Sequence, residues 1–229
     1  MTPRMLDVKQ SILGVNAAAA QMNRKLLDSH RVLMISLTSS PGSGKTSLLM
    51  RTIERLRERY RIAVVEAIAG SSIDADLIAG QNIPTVQIHA SGACHLDAAM
   101  IRKGLAELDL HQLDLVFVEN IGNLVCTADF DLGAHKNAVI LSVPEGDDKP
   151  RKHPMIFLKS DAVLVSKIDV LPWFDFNLNA FSEVISDLNP AAKILPFSAR
   201  TGEGMDDWFA WIRQSKEELN GGKDLQGAV

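Results

Sequence analysis

Short apolar runs alternate with longer segments of helical periodicity along most of the chain. The helical patterns cover Thr46–Glu58, Leu96–Leu108, Phe176–Leu188 and Met205–Leu219. Runs of strand length are predicted at Val32–Leu37, Ile62–Glu66, Thr85–His89, Leu115–Glu119, Ala138–Val143, Ala162–Ser166 and Ile194–Phe197. Because the runs are almost continuously apolar and are interleaved with helices, the pattern predicts an α/β fold with a mostly parallel central sheet and helices on both faces.

A further helix is predicted ahead of the first strand, within residues 1–30. Its apolar residues Val15, Met22 and Leu26 fall on one face, whereas Asn16, Gln21 and Arg24 are polar. The alternation of strands and helices begins only after this segment. The sequence therefore predicts an N-terminal helix attached to an α/β domain.

A phosphate-binding loop follows the first predicted strand. Residues 39–46 read Ser-Ser-Pro-Gly-Ser-Gly-Lys-Thr, which matches the pattern G-x-x-x-x-G-K-S/T except that Ser39 replaces the first glycine. In such a loop backbone N–H groups surround phosphate oxygens, Lys45 reaches the β- and γ-phosphates, and Thr46 binds Mg²⁺. The motif predicts the P-loop NTPase class, with the nucleotide contacted by Pro41, Gly42, Ser43, Gly44, Lys45, Thr46 and Ser47.

Two later segments indicate the base. Ser166-Lys167-Ile168-Asp169 resembles the Asn-Lys-x-Asp motif of GTPases, with Ser166 in place of Asn. The Asp169 carboxylate can accept hydrogen bonds from guanine N1–H and N2, which adenine cannot donate, so an ATP-using protein is disfavoured. The Lys167 stem can cover the base. The shorter Ser166 is expected to weaken one tether to the base and the phosphate loop. After the last strand, Ser198, Ala199 and Arg200 resemble the segment whose backbone N–H meets guanine O6.

A Cys-His pair and a distant cysteine are metal-ligand candidates. Cys94-His95 precedes a predicted helix, and Cys126 follows the fourth predicted strand. Thiolate and imidazole suit Zn²⁺ and Ni²⁺, but three ligands leave one position for water or for a second chain related by two-fold symmetry. The spacing alone leaves open the alternative of unreactive structural cysteines.

Composition narrows the possible partners. The chain has 229 residues and a net charge of −4, which gives no basic footprint for nucleic acid. It contains no apolar run near the ~18 residues of a membrane span, and the N-terminus lacks the apolar core of a signal peptide. We expect a cytoplasmic protein with no nucleic-acid or membrane partner. The expected organisation is a helix over residues 1–30, a P-loop GTPase domain over 31–219 and a disordered tail over 220–229.

These motifs together resemble the HypB family, GTPases that assist nickel insertion into NiFe-hydrogenase and belong to the P-loop branch that also holds UreG. The resemblance runs from about Val32 to Trp211, and Ser39 is common in the family. Beyond the phosphate loop, it rests on Cys-His-Leu-Asp-Ala (94–98), Glu-Asn-Ile-Gly-Asn-Leu-Val-Cys (119–126), Pro-Glu-Gly-Asp-Asp-Lys-Pro (144–150) and Ser-Ala-Arg-Thr-Gly-Glu-Gly-Met (198–205).

The resemblance implies a Mg²⁺-dependent GTPase that works as a nucleotide-dependent homodimer, with a HypA-like nickel metallochaperone and a hydrogenase large-subunit precursor as partners. It implies that Cys94, His95 and Cys126 bind Zn²⁺ or Ni²⁺ at the dimer interface. Glu119 would hold Mg²⁺ through water or place the attacking water, and the Gly122 N–H would sense the γ-phosphate, beside the catalytic Lys45. A γ-phosphate-driven shift of this loop would then move Cys126.

The chain departs from the family pattern at several positions. Ile68 stands where the family usually has an Asp that helps bind Mg²⁺, so hydrolysis is expected to be slow or supported by Glu66, Asp74 or Glu119. Residues 1–29 contain no His or Cys, so we expect the N-terminal nickel site of many members to be missing from them. Two hypotheses follow: a slow GTPase and metallochaperone, or a nucleotide-responsive metal-binding switch whose hydrolysis is weak or vestigial.

Overall fold

A parallel seven-stranded sheet forms the centre of the molecule. The computed structural model describes residues 8–68, 80, 82–90 and 92–221. The strand order is β3-β2-β4-β1-β5-β6-β7, and every neighbouring pair is parallel. The strands are β1 (Leu33–Ser39), β2 (Ile62–Ile68), β3 (Thr85–His89), β4 (Leu115–Glu119), β5 (Lys136–Ser142), β6 (Ala162–Ser166) and β7 (Lys193–Phe197). The predicted α/β class and parallel sheet are confirmed.

Helices cover both faces of the sheet. In the described residues they are α1 (Val8–His30), α2 (Lys45–Leu56), α3 (Ala98–Ala106), α4 (Lys149–Lys152), α5 (Pro154–Leu158), α6 (Leu178–Leu188) and α7 (Met205–Gly221). None of these helices is long and apolar enough to cross a membrane. Helix α7 extends to Gly221, so the first two residues of the expected tail are helical; residues 222–229 lie outside the described part.

Alternate residues of each strand enter different clusters of the core. On β1, Leu33 and Leu37 pack with α2 and α7 on one face of the sheet. Met34 of β1, and Val32 just before the strand, pack with α1 and α3 on the other face. A third cluster lies on that second face, where β5 and β6 meet α5 and α6. Burial on both sides explains why the strands are apolar at nearly every position.

Asparagine and aspartate caps set where two helices begin. The Asp97 side chain accepts a hydrogen bond from Met100 N, so α3 starts at Ala98 rather than at Leu96. The Asn177 side chain accepts a hydrogen bond from Ala180 N, so α6 starts at Leu178 rather than at Phe176. Cys94 and His95 therefore lie in the loop before α3, at the carboxyl end of the sheet, rather than on a helix.

The predicted apolar face of α1 is buried only in part: Leu26 packs against the core, but its other members do not. Val15 is 73% and Met22 58% exposed, whereas Asn16 is 8% exposed and Asn23 is fully buried. Asn16, which the sequence marks only as polar, is therefore an interior residue. Its side chain is buried because backbone partners from distant segments satisfy its amide, as described below.

Candidate nucleotide and metal sites

The phosphate loop joins β1 to the N-terminus of α2. Gly42 and Gly44 have φ values of 74° and 98°, a left-handed conformation that favours glycine. Gly44 is the N-cap of α2 and has no side chain to occupy the first N–H groups of the helix. Those N–H groups and the helix dipole together favour an anion at this position.

Lys45 and Thr46 already have partners within the loop region. Lys45 Nζ donates to Ser39 Oγ at 2.7 Å, so the hydroxyl at the unusual first position of the motif holds the lysine side chain. The Thr46 hydroxyl donates to Glu119 Oε1 at 3.4 Å. The carboxylate at the end of β4 therefore faces the hydroxyl that the motif assigns to Mg²⁺.

A cavity of about 660 Å³ lies beside the loop and is the phosphate-side cavity hereafter. Glu66 and Glu119 are opposite each other in the β2–β4 register, and both line this cavity. Ile68 is 7% exposed and is not among the lining residues. Position 68 therefore provides no carboxylate to this cavity, but Glu66 on the same strand does. Asp74 lies outside the described residues.

Gly122 packs directly against the phosphate loop. A Cβ at this position would lie 2.9 Å from Pro41 Cγ and 3.0 Å from Pro41 N. Only a residue without a side chain allows this approach, and Gly122 also lines the phosphate-side cavity. The segment from Glu119 to Gly122 is consequently in contact with the loop that would hold the phosphates.

A second cavity, the base-side cavity, has a volume of about 770 Å³, within the usual range for small-molecule sites. It contains the residues expected around the base, together with Gly44, Thr46 and Ser47 of the phosphate loop. Motif reasoning missed Met50, Arg51 and Glu54, although their helical spacing from Ser47 indicates the same face of α2. The base-reading residues that line the cavity are Lys167, Asp169, Ser198, Ala199 and Arg200.

The tether between the base segment and the phosphate loop is present despite the missing Asn. The Ser166 hydroxyl donates to Ser43 O at 2.5 Å, and Lys167 Nζ donates to Gly42 O at 2.7 Å. Serine therefore keeps a hydrogen bond to the loop, and the expected weakening relative to asparagine stays a prediction. Serine reaches the loop because β6 ends close to it, while the amide that would contact the base is still absent.

The three metal-ligand candidates come together at the carboxyl end of the sheet. Cys94 Sγ lies 3.5 Å from His95 Nδ1, and a hydrogen bond with the Cys126 thiol raises the pKa of Cys94, with desolvation adding to the effect. The His95 ring stacks on Phe130 with ring centroids 3.7 Å apart. Within the described part of the chain, no group of three or more His, Cys, Asp or Glu residues is arranged to hold a metal ion. The donor types suit Zn²⁺ or Ni²⁺, but the present arrangement is not a closed site.

The carboxylates of the 144–150 segment bind protein groups close to them. Glu145 Oε1 accepts from Ser142 N at 2.9 Å, and Asp147 accepts from Asn177 N at 2.9 Å. Asp148 pairs with Lys152 at 2.5 Å. The segment lines neither cavity.

The parallel sheet, the glycine-supported loop and the cavities on both sides of it define a P-loop nucleotide-binding protein. The model of the CobW/HypB/UreG nucleotide-binding domain matches residues 33–196. Hydrogenase maturation factor HypB of Azotobacter vinelandii is 46% identical over 213 residues, covering 93% of this chain and 70% of that protein. The chain therefore belongs to the CobW/HypB/UreG family and, within it, to the HypB hydrogenase maturation factors.

Solved structures agree with this assignment. HypB of Helicobacter pylori, solved in complex with nickel, superposes with a TM-score of 0.85 at 34% identity, covering 89% of this chain and 95% of that one. HypB of Archaeoglobus fulgidus gives a TM-score of 0.83 at 32% identity, covering 89% and 99% of the two chains.

Proposed function

We propose that this protein is a Mg²⁺-dependent GTPase that gates nickel delivery during NiFe-hydrogenase maturation. One observation carries the nucleotide part: the phosphate loop separates a cavity edged by Asp169 from a cavity edged by Glu66 and Glu119. A guanine nucleotide can span this boundary, with its base on one side and its phosphates on the other. The loop N–H groups and Lys45 then face the phosphate charge.

Base selection is tested at Asp169. Asp169→Asn replaces one acceptor oxygen with a donor, so GDP affinity should fall by about 1.5–3 kcal/mol, roughly 10- to 150-fold, while ADP affinity changes little. Asp175→Asn, an exposed position that lines neither cavity, is the matched control. Equal affinity of the wild type for GDP and ADP would reject the guanine assignment.

Mg²⁺ would be held by the Thr46 hydroxyl and by Glu119, with Glu66 supplying the second carboxylate. The bound ion would neutralise charge on the phosphate oxygens during transfer to water. Mg²⁺ prefers oxygen ligands of this kind. The two carboxylates are buried and lie opposite each other on the neighbouring strands β2 and β4, which supports a Mg²⁺ site at this wall of the cavity. Ile68 is enclosed in the core, so Ile68→Asp would bury a new carboxylate and is a poor test of hydrolysis.

Glu66→Gln and Glu119→Gln test the carboxylates more directly. Each should slow single-turnover GTP hydrolysis and raise the Mg²⁺ concentration needed for half-maximal rate. Glu107→Gln, at an exposed residue directly after α3 that does not line the phosphate-side cavity, serves as the control. Unchanged Mg²⁺ dependence in both variants would refute this role.

Zn²⁺ or Ni²⁺ would be bound by Cys94, His95 and Cys126. The adjacency of the two thiols and the imidazole supports this proposal. Titration of the protein with either ion, read by native mass spectrometry and calorimetry, should give binding that Cys94→Ser and Cys126→Ser abolish. His111→Asn changes an exposed histidine that lies before β4, whereas Cys126 lies after it, and should leave binding unchanged.

A second copy of the chain would complete the metal site in a nucleotide-dependent homodimer. Three ligands per chain leave one position open, and Cys94 is exposed and so accessible to a second subunit. Light scattering with GDP and with a non-hydrolysable GTP analogue, each with and without metal, tests this state. A HypA-like nickel metallochaperone and a hydrogenase large-subunit precursor are the proposed partners, and pull-down of each purified protein with both nucleotides is the corresponding test.

A second candidate function is a nucleotide-responsive metal-binding switch with vestigial hydrolysis. The isoleucine at position 68 favours it, because one family carboxylate is missing there. The two candidates differ in a single-turnover measurement: the GTPase converts bound GTP to GDP in a Mg²⁺-dependent way, whereas the switch binds and exchanges both nucleotides without turnover.

A further inference from the structure

The buried face of α1 carries two asparagine side chains. Asn16 is 8% exposed and Asn23 is fully buried, and both lie on the face that packs against the domain. An amide is favourable in the interior only where it is hydrogen-bonded. The partners of these amides therefore indicate what the residues do.

Each asparagine joins the same two segments of the chain. Asn16 Oδ1 accepts from Ala98 N at 2.9 Å, while its Nδ2 donates to Asp131 O at 2.8 Å. Asn23 Nδ2 donates to Ala98 O at 2.8 Å and to Leu132 O at 3.0 Å. The first residue of α3 and the 131–132 segment are thus held together through α1.

These two segments continue directly from the metal-ligand candidates. Ala98 follows Cys94 and His95, and the 131–132 segment follows the short 3-10 helix that contains Cys126. The second segment lies directly on α1, because a Cβ at Gly133 would be 2.3 Å from Ala20 O. Movement of α1 would accordingly move both groups of ligands.

We propose that α1 is a bracket that sets the separation of the Cys94 and Cys126 thiols, with Asn16 and Asn23 as its positioning residues. The inference rests on the proposed metal function at one point: if the thiols bind a metal, their separation determines its affinity. The effect of α1 on the distance between the two thiols does not itself require a metal. A residue that orients ligands in this way commonly changes affinity by about 10- to 100-fold when it is lost.

Thiol–disulfide exchange measures the separation without any metal. Two protein thiols and one glutathione disulfide give one protein disulfide and two glutathione thiols, so the equilibrium reports the effective concentration of Cys94 relative to Cys126. Asn23→Ala removes both donors of that residue. Asn16→Ala removes the acceptor for Ala98 N and the donor to Asp131 O without burying a charge.

Two controls separate the bracket from a general loss of stability. Gln21→Ala changes an exposed residue of the same helix. Trp208→Phe removes the buried hydrogen bond from the Trp208 indole to Thr52 Oγ1, which is 2.9 Å long and belongs to the opposite face of the sheet. Both controls should keep the wild-type thiol equilibrium, although Trp208→Phe lowers the melting temperature.

We expect Asn23→Ala and Asn16→Ala to lower the thiol effective concentration by about tenfold and to raise the dissociation constants of Zn²⁺ and Ni²⁺ by about 10- to 100-fold. GDP affinity should stay within about twofold of the wild type, since neither residue lines a nucleotide cavity. Thermal denaturation confirms that each variant is folded, and Asn16→Ala, at the less deeply buried of the two positions, retains a test if Asn23→Ala does not fold.

The outcomes distinguish the two ideas. A changed thiol equilibrium in a chain that binds no metal supports the bracket and rejects the metal function. A wild-type thiol equilibrium in both folded asparagine variants overturns the bracket, whether or not the chain binds metal. Loss of metal affinity without a change in the thiol equilibrium also overturns it, because the separation of the thiols would then not be the cause.

Discussion

At the scale of single residues, Gly122 fixes the distance between the loop after β4 and the phosphate loop. Gly122→Ala would place a methyl group 2.9 Å from Pro41 Cγ, and the backbone must shift to relieve this overlap. Overpacking of this kind typically costs about 1–3 kcal/mol. We expect the binding free energies of GDP and of a GTP analogue to become less favourable by a similar amount, because the overlap lies in the phosphate loop. Titration with a fluorescent nucleotide measures the change.

Gly14→Ala is the matched control for this substitution. Gly14 lies within α1 and has open space where a Cβ would be added, so alanine should stabilise the helix by about 0.5–1 kcal/mol. Nucleotide affinity should be unaffected. If Gly122→Ala bound nucleotide as tightly as Gly14→Ala, the contact with Pro41 would have no role in the site.

Ser166 is a second residue with a local, measurable role. Ser166→Ala removes the donor to Ser43 O and leaves a buried carbonyl without that bond, at a cost of about 1–3 kcal/mol. We expect nucleotide affinity to fall, because this bond holds the phosphate loop. Ser160→Ala removes another buried serine hydroxyl bond, to Phe157 O, and should lower stability only. Equal nucleotide affinity in the two variants would contradict the assignment.

At the scale of elements, periodicity predicted the strands and main helices because burial on both faces of a parallel sheet leaves a strong apolar signal. It failed on α1, where Val15 and Met22 are exposed and Asn16 is buried. Hydropathy assigns asparagine to the surface, and only the distant backbone partners of Asn16 reverse that assignment. Those partners come from other segments, so a local pattern contains no sign of them.

The junction of α1 with β1 and β5 also gives the protein a pH-dependent stability. The His135 Nδ1 accepts from Met34 N at 3.1 Å, and its Nε2 lies 3.4 Å from Asp28 Oδ1. Burial lowers the pKa of His135 below 6.5, more than the nearby Asp28 raises it. The unfolded chain therefore binds a proton first as the pH falls, and stability present above pH 6.5 is lost below it.

His135→Asn tests this linkage while keeping an acceptor for the Met34 N–H. Wild-type free energy of unfolding, measured by urea denaturation, should fall as the pH is lowered through 6.5 toward the folded-state pKa. In the asparagine variant the free energy of unfolding should depend less steeply on pH over this range, because the contribution of His135 is gone. Parallel curves for the two proteins over this range would show that His135 does not contribute.

At the scale of the whole molecule, the carboxyl edge of the sheet gathers segments that motif reasoning treated separately. Sequence alone predicted the nucleotide loop and base residues because their chemistry is local to short motifs. It could not predict that Glu66 lines the phosphate-side cavity opposite Glu119, since that pairing depends on the β2–β4 register. The metal assignment and the homodimer stay predictions.

The loop after β4 physically connects the two proposed sites. Gly122 contacts Pro41 of the phosphate loop, and Asn123 Oδ1 accepts from Cys126 N at 3.0 Å. Asn120 Oδ1 accepts from Leu96 N at 3.2 Å, next to His95 in the chain. A change of nucleotide that moves this loop would therefore move ligands of both metal-binding segments.

This connection predicts that metal and nucleotide affinities are coupled. Zn²⁺ affinity should differ between the GDP state and a non-hydrolysable GTP-analogue state, with a coupling of about 1–3 kcal/mol, or about 5- to 150-fold. Because coupling is reciprocal, Zn²⁺ must change the ratio of the two nucleotide affinities by the same factor, which calorimetry can check in both directions. Asn120→Ala should reduce that factor, since it removes the acceptor shared by Leu96 and Ile121. Equal Zn²⁺ affinity in both nucleotide states would exclude a role for this loop in gating the metal.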